Sequence, residues 1–257
     1  MELLLEPSSW AILVATGFLA GFIDAVVGGG GLLSIPALLT IGIPPHLALG
    51  TNKLAASFGS SMAAFTYYRK HYFTPQFWYH AAIATFIGAV IGTFVVYLID
   101  SQWLEKLLPI IIIVIAIYTL LKPGSMGKAT YSAPSKSPSK FKQWRQGLPL
   151  GFYDGFAGPA VGAFWTISSV SQYKLPVLES CGLARAMTFI SNLTSLLVFL
   201  ALGQVNIMIG LAMGICMMLG SFVGARTAIK FGVPFIRPLF ITIVILIAVN
   251  LAWSAWA

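Results

Sequence analysis

The sequence predicts an all-α polytopic membrane protein. It would have two homologous repeats, inverted by charge, and about 8 transmembrane helices, each repeat opening on a Gly-rich broken or re-entrant segment. Three observations lead there. The 257 residues are 58% hydrophobic and only 9% charged, with a mean hydropathy of +0.88. No soluble fold of this length hides so much apolar surface. Apolar segments follow one another along almost the whole chain, and the pattern of the first half returns in the second.

In chain order the apolar segments are 10–27, 31–43, 47–68, 76–99 and 103–121, then 147–157, 159–172, 183–202, 206–229 and 234–256. Those of 20 residues or more can each cross a hydrocarbon core roughly 30 Å thick. The shorter ones, 31–43, 147–157 and 159–172, suit half-helices or re-entrant pieces. Glu2 and Glu6 precede the first apolar run and no base does, so no cleavable signal is expected.

The first segment carries Asp24 in its last turn and then meets Gly28, Gly29, Gly30 and Gly31. Each glycine inside a helix costs about 1 kcal/mol relative to alanine, so four in a row end it. Bare backbone cannot face lipid, and the break therefore lines a protein-walled cavity or forms a tight helix–helix turn. A helix restarting at such a break aims free N–H groups and the positive end of its dipole inward, where an anion can bind.

Residues 122–146 hold Lys122, Lys128, Lys136, Lys140, Lys142 and Arg145 with no acid, and read as a flexible, solvated linker. The linker divides a first membrane repeat, 1–121, from a second, 147–257. Six bases without an acid place it in the cytoplasm. The net charge of +8 does not suggest nucleic acid, because the bases lie between hydrophobic runs and not in one patch.

Gly21-Phe22-Ile23-Asp24 returns as Gly151-Phe152-Tyr153-Asp154, Gly28 as Gly158 followed by Pro159, and Lys53 as Arg185. Gly88xxxGly92 returns as Gly220xxxGly224, and Leu108-Pro109 as Arg237-Pro238. The offset stays between 129 (Leu108 to Arg237) and 132 (Lys53 to Arg185), so the matches stay in register through the whole half. This is the pattern of a duplicated, transporter-like chain. If each break is a turn between two pieces, the halves are inverted. Arg69, Lys70, Lys174, Arg226, Lys230 and Arg237 then join the linker in the cytoplasm, and Lys106 falls outside.

The bland readings are assigned first. Gly88xxxGly92, Gly220xxxGly224 and Gly210xxxGly214 fit helix packing within the bundle, with a homodimer interface as the alternative. Cys181 and Cys216 have no metal or disulfide spacing, and His46, His71 and His80 are scattered. Trp10, Trp78, Trp103, Trp253 and Trp256 stand at segment ends, as an aromatic belt does.

Asp24, Asp154, Lys53 and Arg185 need a different account, since a charge inside a span costs roughly 2.5–3.5 kcal/mol. One reading is an internal ion pair, such as Asp24 with Lys53. The other makes Lys53 and Arg185 attractors of an anion, with an aspartate carrying a proton. Thr51, Asn52, Ser191 and Asn192 supply neutral hydrogen-bonding groups beside them.

Gly21-Phe-Ile-Asp24, Gly28 to Gly31, Pro36, Thr51-Asn-Lys53, Gly151-Phe-Tyr-Asp-Gly155 and Gly158-Pro159 together resemble the TauE/SafE family over nearly the whole chain. The resemblance implies an exporter of sulfite, organosulfonates or related anions, with eight spans in two halves of four. That topology agrees with the inversion only if the breaks are re-entrant. Arg185 stands where relatives carry lysine, which keeps the charge but changes its geometry.

The expected function is thus secondary transport of a small, sulfur-containing anion by alternating access, in a bacterial-type inner membrane. A metal-cation transporter, and a membrane enzyme or assembly factor, are the alternatives. The substrate-binding candidates are Gly28, Gly29, Gly30, Gly31, Thr51, Asn52, Lys53, Gly158, Pro159, Arg185, Ser191 and Asn192. Asp24 and Asp154 are the coupling candidates. No catalytic residue, metal ligand or cofactor is expected, and the partners are the anion and the lipid bilayer.

Overall fold

The structure, a computed structural model, describes residues 6–104, 106–107, 110, 138–232, 234–236 and 238. Among them there are helices and no strands. In the first repeat these are α1 (Pro7–Val27), α2 (Gly31–Thr40), α3 (Pro45–Arg69) and, after a 3-10 turn at Pro75–Trp78, α4 (Tyr79–Tyr97). In the second they are α5 (Lys140–Phe156), α6 (Val161–Tyr173), α7 (Val177–Ala201) and α8 (Ile207–Phe231). Each repeat therefore runs as a long helix, a short one and two long ones. Four helical stretches, Pro7–Val27, Pro75–Tyr97, Val177–Ala201 and Ile207–Phe231, are long and apolar enough to cross a membrane. Most of the apolar segments 103–121 and 234–256 and of the linker 122–146 lies outside the described residues, as do Arg237, Trp253 and Trp256.

Proline sets several helix starts, since it lacks the N–H that a first turn cannot use. Pro7 opens α1, Pro45 opens α3 and Pro176 directly precedes α7. α5 begins seven residues before the apolar segment that announced it (140 against 147). Its first turns carry Lys140, Lys142 and Arg145, which hide the helix from a hydropathy reading. They are held by the buried Gln143, whose side chain accepts from the Ala81 N–H (2.9 Å) and donates to the Phe77 carbonyl (3.0 Å). Trp78, read from the sequence as a belt residue, is buried and packs edge-on against Tyr173.

Packing exchanges partners between the repeats. α1 packs on α8, and α5 on α4; α3 packs on α8, and α7 on α4; α3 and α7 pack on each other. The seams are lined with glycine because backbones meet there. A Cβ on Gly21 would fall on the backbone of Met217, and one on Gly151 on that of Thr85. All three small-xxx-small pairs are used inside the chain: Gly88 and Gly92 face α5, Gly220 and Gly224 face α1, and Gly210 and Gly214 face Leu54 and Phe58. Residue numbers rise together along α1 and α8 (Gly17 near Met213, Gly21 near Met217) and along α4 and α5 (Gly147 near Ala81, Gly155 near Ala89). Along α3 and α7 they run oppositely: Gly50 lies near Phe199, and Tyr72, just past α3, near Gly182.

Candidate functional site

The first break behaves as its glycines dictate. Gly28 takes the left-handed conformation (φ +88°) and donates its N–H to the Asp24 carbonyl at 2.9 Å, closing α1. At the matched place Gly158 (φ +89°) follows α5 and donates to the Tyr153 carbonyl at 3.1 Å. Side chains rarely adopt this conformation, so glycine is the residue that fits. The two breaks meet: a Cβ on Gly31 would touch Pro159 Cα at 3.4 Å.

Both cations lie two turns into long helices, Lys53 at the ninth residue of α3 (45 to 53) and Arg185 at the ninth of α7 (177 to 185). Each crosses to the break of the other repeat. Lys53 Nζ lies 2.6 Å from Asp154 Oδ1 and also donates to the Asp154 carbonyl (2.5 Å) and to Asn192 Oδ1 (3.1 Å). The Ser191 hydroxyl donates to the second carboxylate oxygen of Asp154. Arg185 Nη1 lies 3.4 Å from Asp24 Oδ2 and donates to the Asp24 backbone carbonyl. The pairing is therefore not Asp24 with Lys53. Matched residues belong to opposite repeats, and a pair within one repeat would leave each helix break facing no cation from its neighbour.

The surroundings of the two aspartates differ. Lys53 and Asp154 are both 2% exposed at the side chain, while Asp24 keeps 24%. Asp24 Oδ1 accepts from the Gly30 N–H at 3.3 Å. The chain's own carboxylate thus sits where the sequence led us to expect an external anion, at the start of α2. Arg185 is fully buried, and its Nε and Nη2 have no hydrogen-bond partner among the described residues. Nη2 presses on the backbone of Gly28 and Gly162, where a Cβ would collide with it.

Between the breaks lies a cavity of about 30 Å³, room for a water or two. Asp24, Gly30 and Gly31 line it from the first break, and Asp154 and Gly158 from the second. Asn52 and Lys53 come from α3, Thr188 and Asn192 from α7 and Ser221 from α8. Of the other sequence candidates, Ser191 touches the site through Asp154, and Pro159 receives the Tyr153 hydroxyl at 2.6 Å. Gly28 and Arg185 lie just behind the cavity wall, Gly29 packs near Leu32, and Thr51 is elsewhere. Its hydroxyl accepts from the Asn206 N–H at 2.9 Å and holds the turn before α8. Asn52 accepts from Ser34 at 2.6 Å, joining α2 to α3.

Thr188 and Ser221 are cavity residues that sequence reasoning missed. Ser221 donates to the Gly21 carbonyl at 3.0 Å, and its only signal was its place inside Gly220xxxGly224. Among the described residues no three His, Cys, Asp or Glu side chains come together as a metal site.

Two aspartates, a lysine and an arginine make a formally neutral cluster among buried neutral polar side chains such as Asn52, Thr188, Asn192 and Ser221. A buried charge is tolerable only when paired and hydrogen-bonded. Such a cluster can exchange one internal anion for an external one, or lose a negative charge to a proton, but it has no cation in excess.

Residues 13–251 match the family model described as Sulfite exporter TauE/SafE. A probable membrane transporter protein, ORF9, of Sinorhizobium sp. is 37% identical over 241 residues, covering 94% of this chain and 91% of its own. A probable membrane transporter protein of Haemophilus influenzae is 36% identical, covering 90% of this chain and 89% of its own. The probable membrane transporter protein YfcA of Escherichia coli is 32% identical over 261 residues, covering 98% and 93%. No solved structure matches the chain.

Proposed function

This chain belongs to the TauE/SafE family, and on that premise we propose that it is a secondary transporter of small sulfur-containing oxyanions, sulfite or a sulfonate, working by alternating access in a bacterial inner membrane. The single observation that carries the reading is the crossed pairing at the two helix breaks. Lys53 and Arg185 each hold the aspartate of the opposite repeat beside a polar cavity. Broken helices meeting at a repeat interface are where secondary transporters place their substrates.

The mechanism follows from the charge balance. With both aspartates ionised the cluster is neutral and an entering anion has no free cation. A proton taken up by Asp24, the carboxyl that is 24% exposed and lines the cavity, releases one positive charge for the anion. Proton and anion then move together. Asn52, Thr188 and Asn192 offer the hydrogen bonds that sulfonate or sulfite oxygens accept.

Inversion of the repeats is the matching topological proposal. It is supported by the opposite run of α3 and α7, which are repeat equivalents in contact. On this reading α1–α2 and α5–α6 are hairpins that enter and leave on opposite sides, each followed by three spans. Arg69, Lys140, Lys142, Arg145, Lys174, Arg226 and Lys230 then share the cytoplasmic end.

The test is a flux and binding screen of sulfite, thiosulfate, sulfoacetate and chloride on reconstituted protein at two pH values. Saturable, proton-linked uptake of a sulfur oxyanion supports the reading, and a lack of response to all of them overturns it. Cysteines placed at Ser135 and Lys174 should both react only from the cytoplasm. External labelling at Lys174 contradicts inversion.

A further inference from the structure

A crevice of about 520 Å³ runs along the outside of the seam where α3 and α7 pack antiparallel. Its floor is buried Trp78 and Met187, and exposed Phe65, Tyr68 and Tyr79 stand as its walls. Almost all of this lining is apolar. Past the end of α3 it continues into a second recess of about 450 Å³ that holds Arg69, His71, Thr74 and Gln76. The two recesses share Tyr68, Phe73 and Pro75. Arg69 joins them physically, because its guanidinium carbon lies 5.7 Å from the centre of the Phe65 ring. Lys70, the next residue, is exposed at the same end.

We propose that this composite groove binds one anionic phospholipid, an acyl chain lying against Phe65, Ala82 and Ile190 and the headgroup phosphate seated at Arg69 and Lys70. Charge complementarity selects the occupant. A neutral lipid would fill the apolar part and leave the basic recess unanswered. A soluble anion would take the basic recess and leave a large apolar crevice open. The aromatic residues at the junction suit the level of the headgroups, where amphipathic rings collect. The bases lie on the end that counts as cytoplasmic, where anionic lipids concentrate. Bound there, the lipid spans α3 and α7, the helices that carry Lys53 and Arg185. The inference rests on the proposed placement of Arg69 and Lys70 at the cytoplasmic end, and it does not depend on which anion is transported.

Delipidated protein in detergent is offered phosphatidylglycerol and phosphatidylcholine with identical acyl chains, and retention is read by native mass spectrometry. Wild type is expected to prefer phosphatidylglycerol by roughly five-fold per participating base. Arg69→Gln/Lys70→Gln should bring the preference close to parity while leaving the unfolding temperature in detergent unchanged. A phosphatidylglycerol bearing a photoreactive acyl chain should label peptides containing Phe65 and Ile190 in unmodified protein, a readout that needs no variant. Unchanged preference in the double variant, labelling only at other sites, or displacement of the lipid by glycerol phosphate alone each overturns the proposal.

Discussion

Lys53 uses all three of its N–H donors within 3.1 Å, on Asp154 and Asn192. Arg185, at the matched position of the other repeat, finds no hydrogen-bond partner for Nε and Nη2 among the described residues and holds the Asp24 carboxylate at only 3.4 Å. The same plan has therefore been completed in one half and left open in the other. Residue chemistry explains part of this. An ammonium is a compact point charge that can turn its donors to whatever surrounds it, whereas a guanidinium is a rigid planar fork. The neighbours explain the rest. Ser191, which bonds Asp154, has Gly59 as its counterpart in the first repeat, so Asp24 receives no such hydroxyl. The matched positions are not equally satisfied: the Lys53–Asp154 pair is closed, and in the proposed mechanism the Arg185–Asp24 pair is the one that changes partners.

The largest effect should come from breaking the closed pair. Lys53→Met strands a buried carboxylate and should cost about 3–5 kcal/mol, read by unfolding in detergent. Adding Asp154→Leu should recover most of that loss. Arg185→Met should cost less than Lys53→Met, because Asp24 keeps the Gly30 amide and partial access to water. Equal losses contradict the asymmetry.

The helix breaks should rank the other way. Gly28→Ala and Gly158→Ala both force a side chain to a left-handed backbone, at about 1–3 kcal/mol. At Gly28 the new methyl also meets the backbone of Gly162 and Ala163, whereas at Gly158 it meets the ends of the Asp154 and Lys53 side chains at 3.0 and 3.1 Å. The first variant should therefore be the less stable by thermal melting.

The clearest functional signature should come from Asp24→Asn. It keeps an acceptor for the Gly30 N–H but removes the counter-charge of the buried Arg185, and should cost about 1–3 kcal/mol, less than Lys53→Met. Its flux should nevertheless lose most of the wild-type dependence on pH. A wild-type pH profile in Asp24→Asn removes this residue from the coupling step.

The helical membrane class and the first glycine break were legible because each leaves a mark in one dimension: hydropathy, and a run of glycines. Lys53 and Arg185 were legible as charges among apolar neighbours. Which aspartate each would hold was not, because that depends on how the repeats face each other. Thr51 shows a second limit. It lies two residues from Lys53, and residues so spaced on a helix point to different sides. It caps a turn and does not reach the cavity. The glycines at 147, 151 and 155 form a packing face as regular as Gly88xxxGly92, but they begin where the basic linker was taken to end.

The most direct test of the account is anion binding to Arg185→Gln/Asp24→Asn. This pair is neutral and keeps amide hydrogen bonding at the centre of the site, so loss of charge is separated from loss of fold. With an unfolding temperature near that of the wild type, the variant should bind sulfite, or whichever sulfur oxyanion the screen identifies, roughly 10- to 150-fold more weakly, the value of one charge-assisted hydrogen bond. Wild-type affinity in the folded double variant would contradict the account and leave the crossed pairs as structural ties alone.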